Sequence, residues 1–325
     1  MKARVAVIGA FGLLLVGYLI WHVGFGPVFS AVFRIGWPGF SLLCALGFVL
    51  FALLGSAWWV LVNKRTAQGW RTFFWARMVR DSAAETLPFS QIGGFVIGVR
   101  AAILDGIPPA VAAASMIADI TTEMVAQLVY VCLGIILLGT TLKTAAGVPS
   151  TGWMLTGISL AGIAAAAFYA LQRYGGGMIL FFTARFLPQA LEHVDTVTSE
   201  LQSIYRSPGR IAASFLFHLA SWIASGASTW IAFRLLGAHI GLSSVIAIDS
   251  LVYAIRSVAF AVPNALGVQE VAYAVFAPIL GVGPEIGIAV SLLKRARDVA
   301  IGIPVLLLWQ VLEGQRALVT VRPDN

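Results

Sequence analysis

The chain has 325 residues, 59% of them hydrophobic and 11% charged, with a mean hydropathy of +0.91. Soluble domains carry about 25% charged residues, so this composition excludes an ordinary soluble enzyme or binding module and defines a polytopic membrane protein. The net charge of +7 comes from 21 basic residues scattered through short loops and apolar stretches; that pattern fits membrane topology and anionic-lipid contact, with no nucleic-acid partner.

In chain order, stretches at about 5–23, 39–62, 109–139, 153–172, 210–235 and 285–310 read as full spans. The first follows Lys2 and Arg4 but lacks a small-residue cleavage site after it, so it is expected to be retained. Two further apolar regions, 72–106 and 244–282, are interrupted by "TLPFSQIGG" and "AVPNALGVQ". A proline inside a helix removes a backbone hydrogen bond and clashes with the preceding turn, so each region is expected to form two short helices. Trp58, Trp59, Trp70 and Trp75 read as an interfacial belt. Segment 178–206 mixes apolar and charged residues; before Pro188 it suits the membrane surface, and after it an amphipathic helix, with partner docking as the other use. Cys44 and Cys132 lie in apolar stretches and read as packing residues. His22, His193, His218 and His239 have no metal-ligand spacing, so no metal or cofactor is expected.

The basic residues orient these elements. If both broken regions are re-entrant hairpins, the termini and the loops 63–71 and 173–209 share the cytoplasmic side, with Lys64, Arg65, Arg71, Arg173, Arg185 and Arg206 among them. Arg34, Lys143 and, at the edge, Arg234 fall opposite, as the positive-inside rule requires. The same arrangement exposes a repeat, about 72–139 and 244–310. From Pro88, Gly106 follows at +18, Pro109 at +21 and Glu123 at +35; from Pro263 the same offsets give Gly281, Pro284 and Asp298. Arg80 and Arg256 precede the two prolines. The expected architecture is one all-α integral membrane domain over 1–325, with about six full transmembrane helices and two re-entrant broken-helix hairpins in inverted repeat.

Charges inside the spans carry the functional reading. Lys294, Arg295, Arg297 and Asp298 lie in an apolar stretch, where each costs roughly 2.5–3.5 kcal/mol at mid-membrane. Ser115, Asp119, Glu123 and Gln127 share one helix face, and the repeat matches Asp119 with Lys294 and Glu123 with Asp298. The two spans are therefore expected to pair, directly or through the hairpins. The hairpins add Arg80, Asp81, Glu85, Gln91 and Arg100, then Asp249, Arg256, Asn264, Gln269 and Glu270, and so predict a polar central cavity. One reading is a hydrated pathway in which Arg80, Glu85, Arg100, Asp119, Glu123, Arg256, Asn264, Glu270, Lys294, Arg297 and Asp298 meet a polar or anionic headgroup. Pro88, Gly93, Gly94, Pro263 and Gly267 would form its backbone hinges. The other reading is a charge network that only locks the repeats together, with the glycines serving tight helix packing.

The run "VPNALGVQEVAYAVF", followed by "LGV" and a span ending in "KRARDVAIGIP", resembles the C-terminal signature of the lysylphosphatidylglycerol synthase transmembrane-region family. "ETLPFSQIGGFVIGVRA" followed by "SMIADITTEM" is similar to that family's first half, although "FSQIGG" stands where a basic residue and "GE" often occur. The motifs look closest to the hopanoid-biosynthesis-associated membrane protein (HpnL) branch. The resemblance implies a lipid-handling protein of the bacterial inner membrane, not an enzyme. In two-part aminoacyl-lipid members a similar membrane region moves the lipid between leaflets, and a separate soluble domain makes it. The implied partners are a hopanoid or anionic phospholipid and, beside it, lipid-biosynthesis enzymes. Two rivals stay open: a non-transporting scaffold for such enzymes, and a lipid-modifying transferase using Glu123 or Glu270 as base. The transferase ranks last because no nucleophile or metal set accompanies the carboxylates.

Overall fold

The computed structural model describes residue 30 and residues 33–62, 66–86, 90–146, 194–259 and 262–320. The proposed spans 5–23 and 153–172, and Pro88, lie outside the described residues. Every regular element among the described residues is helical. Helices α1 (Gly36–Val62), α4 (Pro109–Ala146) and α6 (Pro208–Leu235) each contain a stretch long and apolar enough to cross a membrane. Phe48 and Val49 on α1, Val129 and Ile136 on α4, and Leu216 and Ile223 on α6 point outward. Exposed apolar faces of this extent call for lipid around them.

The two broken regions do form pairs of short helices. The first gives α2 (Trp70–Thr86) and α3 (Ser90–Leu104). The amphipathic helix expected after Pro188 is α5 (Val194–Tyr205), whose Ile204 is buried with Leu61, Ala114 and Ala118. The second broken region gives α7 (Leu242–Val258) and α8 (Val268–Phe276), with 3-10 turns at Pro263–Ala265 and Ala277–Leu280. At 17 residues or fewer, none of the four hairpin helices exceeds about 26 Å, short of the roughly 30 Å hydrocarbon core. The last helix, α9 (Pro284–Thr320), runs through Pro304 and carries the charged cluster. Its outward face of Ile303, Leu307, Leu308 and Val311 is as apolar as those of the other long helices.

The second break is a backbone with left-handed residues at Asn264 (φ 49), Ala265 (φ 45) and Gly267 (φ 81). For the two non-glycines this costs about 1–2 kcal/mol each, and side chains brace them. Asn264 Nδ2 donates to the Glu85 carbonyl at 2.6 Å, and Arg295 donates to the carbonyls of Asn264 and Ala265 at 3.2 Å. Glu270 Oε2 accepts the Gly267 amide at 2.8 Å and so caps α8. In the first hairpin, a Cβ on Gly94 would lie 2.7 Å from the Arg80 carbonyl, and one on Gly98 2.7 Å from the Arg80 Cβ. Small residues four apart thus let α2 and α3 meet backbone to backbone.

Elements α1 to α4 and α6 to α9 follow the same succession. Helices α2 and α7 both have 17 residues, and α4 and α9 have 38 and 37. Each short pair ends at a positive-φ glycine, Gly106 or Gly281, before a long helix that starts at a proline. Packing follows the same exchange. Helix α1 packs on α2, α4, α6 and α9, and α6 on α7, α9, α1 and α4; α2 meets α3 and α9, while α7 meets α8 and α4. Swapping α1 with α6, α2 with α7, α3 with α8 and α4 with α9 leaves these pairs unchanged.

Two apolar clusters bracket a polar layer. Leu43 of α1 and Leu293 of α9 belong to one cluster; Trp58 of α1 and Ile301 of α9 belong to the other. Trp58 corrects the belt expectation: it is fully buried, edge-on to Phe73, and its indole N–H donates to Ser115 Oγ at 2.9 Å. Trp70 keeps a surface position, stacked on Phe74. Cys44 and Cys132 are free thiols.

Candidate functional site

Between the two apolar clusters lies a cavity of about 470 Å³ reached by both halves of the molecule. Helix α1 gives it an apolar wall of Leu50, Phe51 and Leu54; α2, α4, α7 and α9 give it charged and polar groups. Of the residues expected at a headgroup site, Arg80, Glu85, Glu123, Arg256, Asn264, Arg297 and Asp298 line this cavity. Arg100, Asp119, Glu270 and Lys294 are not among its lining residues. Gly93, Gly94 and Gly267 are not either.

The first charged cluster is built by α2 and α4. Arg77 sits between three carboxylates: Nε donates to Asp81 at 2.8 Å, one terminal nitrogen to Asp119 at 2.7 Å and the other to Glu123 at 2.6 Å. Arg80 donates to Asp119 Oδ2 at 3.0 Å and to Glu123 Oε2 at 2.9 Å, with its guanidinium over the Phe95 ring. Asp119 is wholly buried behind this pair, and its other oxygen meets His218 Nε2 of α6 at 3.0 Å. Asp81 and Glu123 remain partly open to the cavity.

The second cluster, around α9, shows how its charges are accommodated. Lys294 donates to Asp249 Oδ1 at 2.8 Å, Thr229 Oγ1 at 3.0 Å and Tyr273 Oη at 2.9 Å. Asp249 accepts two further bonds, from Thr229 at 2.8 Å and Tyr273 at 2.7 Å, on that same oxygen, and one from Tyr130 at 3.1 Å on the other. Arg295 pairs with Glu270 at 2.5 Å, and Arg297 with its neighbour Asp298 at 2.8 Å. Each buried charge thus has a partner, and Lys294, Asp249, Arg295 and Glu270 have further hydrogen bonds, the condition under which ions persist in a low-dielectric interior.

Of the two pairings expected between these spans, direct or through the hairpins, the direct one does not form. Asp119 and Glu123 of α4 do not bond the charges of α9; each long helix is neutralised by its own hairpin or its neighbour. The signs are reversed between halves: Arg77 on α2 meets Asp119 on α4, whereas Asp249 on α7 meets Lys294 on α9. The halves are joined hairpin to hairpin. Arg256 donates to both oxygens of Glu85 at 3.1 Å, to Asn264 Oδ1 at 3.2 Å and to Gln269 at 2.7 Å, and lies over the Tyr253 ring. Arg100 sits apart, exposed, and pairs with Glu313.

Three contributors were missed by sequence reasoning. Arg77 is three residues before Arg80 and four before Asp81, a spacing that places all three on one helix face and could have found it. His218 has no such signal, because its partner Asp119 is 99 residues away. Asp249 belongs to the hairpin charges, but nothing in the sequence marks it as the counter-ion of Lys294, 45 residues away. Among the described residues no group of His, Cys, Asp and Glu could hold a metal ion.

Fold and site together define a multi-pass, all-helical membrane protein with a charged internal cavity. The chain belongs to the lysylphosphatidylglycerol synthase TM region family, whose model matches residues 3–305. Comparison with curated proteins and with solved structures gave no match.

Proposed function

We propose that the protein is a lipid translocase of the flippase type, which passes a polar or anionic headgroup through the central cavity while the apolar body stays in the bilayer. The observation that carries this reading is the amphipathic lining: Arg80, Arg256 and Glu123 face Leu50, Phe51 and Leu54 across one cavity. A lipid headgroup and the start of its apolar part match such a lining, and membership of a family associated with lipid handling supports it. A hopanoid or an anionic phospholipid is the cargo, in keeping with the motif resemblance to the hopanoid-associated branch. The protein changes the lipid's position and not its covalent structure, beside the enzymes that make it.

The exchange symmetry of helix packing supports an inverted repeat, wider than 72–139 and 244–310 because α1 and α6 join it. In this reading the two hairpins dip into the bilayer from opposite sides of a bacterial inner membrane, six helices cross it, and both termini face the cytoplasm.

The test is mass spectrometry of lipids that co-purify in mild detergent with wild type and with Arg256→Ala, compared at equal size-exclusion elution volume. The expected result is enrichment of one polar lipid class that is lost in the variant. The same bulk lipids on both would contradict translocation and favour a scaffold.

A further inference from the structure

The Arg77–Arg80 cluster holds three carboxylates, Asp81, Asp119 and Glu123, against two guanidinium groups. One carboxylate is therefore in excess unless a proton joins the cluster. His218 adds a charge only if protonated; it is fully buried on Asp119, and its Nδ1 has no partner among the described residues. Arg80 Nε likewise has no hydrogen-bond acceptor among the described residues.

Glu123 occupies a particular place in this arrangement. Its two oxygens are held by one terminal nitrogen from each arginine, at 2.6 and 2.9 Å, and it opens on the cavity. Two guanidinium groups that present one N–H each to a pair of oxygens also match two oxygens of a phosphate. A phosphate can take that place only if the carboxylate leaves or is neutralised. The groups facing Glu123 set its charge state. They are Arg77, Arg80, Asp81 and, farther along α2, Glu85; Asp119 on α4; His218 on α6; Arg256 on α7; and Arg297 and Asp298 on α9. Helix α1 has no charged residue, and Asp249 of α7 is already saturated by its own donors.

We infer that Glu123 is a proton-exchanging gate to an anion site: it takes up one proton when a phosphate-bearing headgroup binds, and hands Arg77 and Arg80 to that phosphate. This rests on the translocase reading and deepens it, since it names the headgroup chemistry and makes the proton gradient the source of direction. The proton goes onto a Glu123 oxygen, which stops accepting from the arginines; the phosphate oxygens accept those two N–H bonds instead. The net charge of the cluster is unchanged, because one anion enters with one proton.

The experiment is calorimetric titration of short-chain phosphatidylglycerol into the detergent-purified full chain, in buffers of different ionisation heat between pH 6 and 8. Wild type is expected to take up about one proton per lipid, so that affinity falls about tenfold per pH unit as pH rises. Glu123→Gln, which mimics the protonated residue, is expected to bind without proton uptake and with no pH dependence. Inorganic phosphate, titrated in parallel, is expected to bind more weakly because it cannot use the Leu50, Phe51 and Leu54 wall; equal affinity would assign the site to the free anion and overturn the headgroup. Lipid binding with no proton uptake overturns the proton gate and leaves the translocase standing. No lipid binding by wild type overturns both. Should Glu123→Gln fail to fold, the proton count on wild type decides alone.

Discussion

At the residue scale, the Lys294–Asp249 pair decides whether α9 can lie inside the protein. Asp249 accepts four hydrogen bonds, and Lys294 uses all three of its donors. Removing one partner strands the other charge, at a cost of about 3–5 kcal/mol. Asp249→Ala is therefore expected to lower the melting temperature of the purified protein sharply. The double variant Asp249→Leu with Lys294→Met is expected to recover most of the loss, because it removes both charges. A double variant no better than the single one would contradict the pairing. The sequence made Lys294 conspicuous, since a charge in an apolar run demands a partner. It hid Arg77, which sits in the more polar start of a hairpin where a basic residue resembles a loop-edge positive charge. It also hid the burial of Trp58, because a tryptophan at a boundary and one bonded to Ser115 across 57 residues read alike.

At the element scale, the hairpins depend on close contact and on braced breaks. Gly94→Val would drive side-chain atoms into the Arg80 carbonyl, against which a Cβ is already at 2.7 Å. Overpacking of this kind costs about 1–3 kcal/mol, so Gly94→Val is expected to melt at a clearly lower temperature. Gly139→Ala, where nothing among the described residues lies within 4 Å, is the matched control and should melt no lower than wild type. Equal melting of Gly94→Val and wild type would contradict the α2–α3 packing. Proline and glycine punctuation made the breaks legible in advance, because both residues disrupt helices by local sterics. Which helices neutralise one another was not legible: the match of Asp119 with Lys294 records an equivalent position in two halves, and equivalent positions need not touch. The link takes the other route expected, through the hairpins, by Glu85 and Arg256 at the broken tips.

At the scale of the whole molecule, two halves exchange their packing partners and close around one cavity. The proposed inverted orientation makes a topological prediction. With Cys44 and Cys132 replaced by alanine, Gly69→Cys before α2 and Gly241→Cys before α7 are both exposed. An impermeant maleimide is expected to label them from opposite sides of the membrane. Labelling from one side would contradict the inversion, while leaving the helix packing as described. The charge distribution of the loops is what suggests this orientation, whereas the equivalence of α1 with α6 is visible only in the packing.

The central claim, that the cavity between the halves carries a lipid headgroup across the bilayer, is tested most directly in proteoliposomes. The measurement is the rate at which a fluorescent phospholipid in the inner leaflet becomes accessible to an external quencher, with wild type, Arg256→Gln and protein-free vesicles compared. The account predicts fast exchange with wild type and a return toward the protein-free rate with Arg256→Gln, in protein of unchanged elution volume. The same rate for wild type and protein-free vesicles, for phospholipid and hopanoid probes alike, would contradict it.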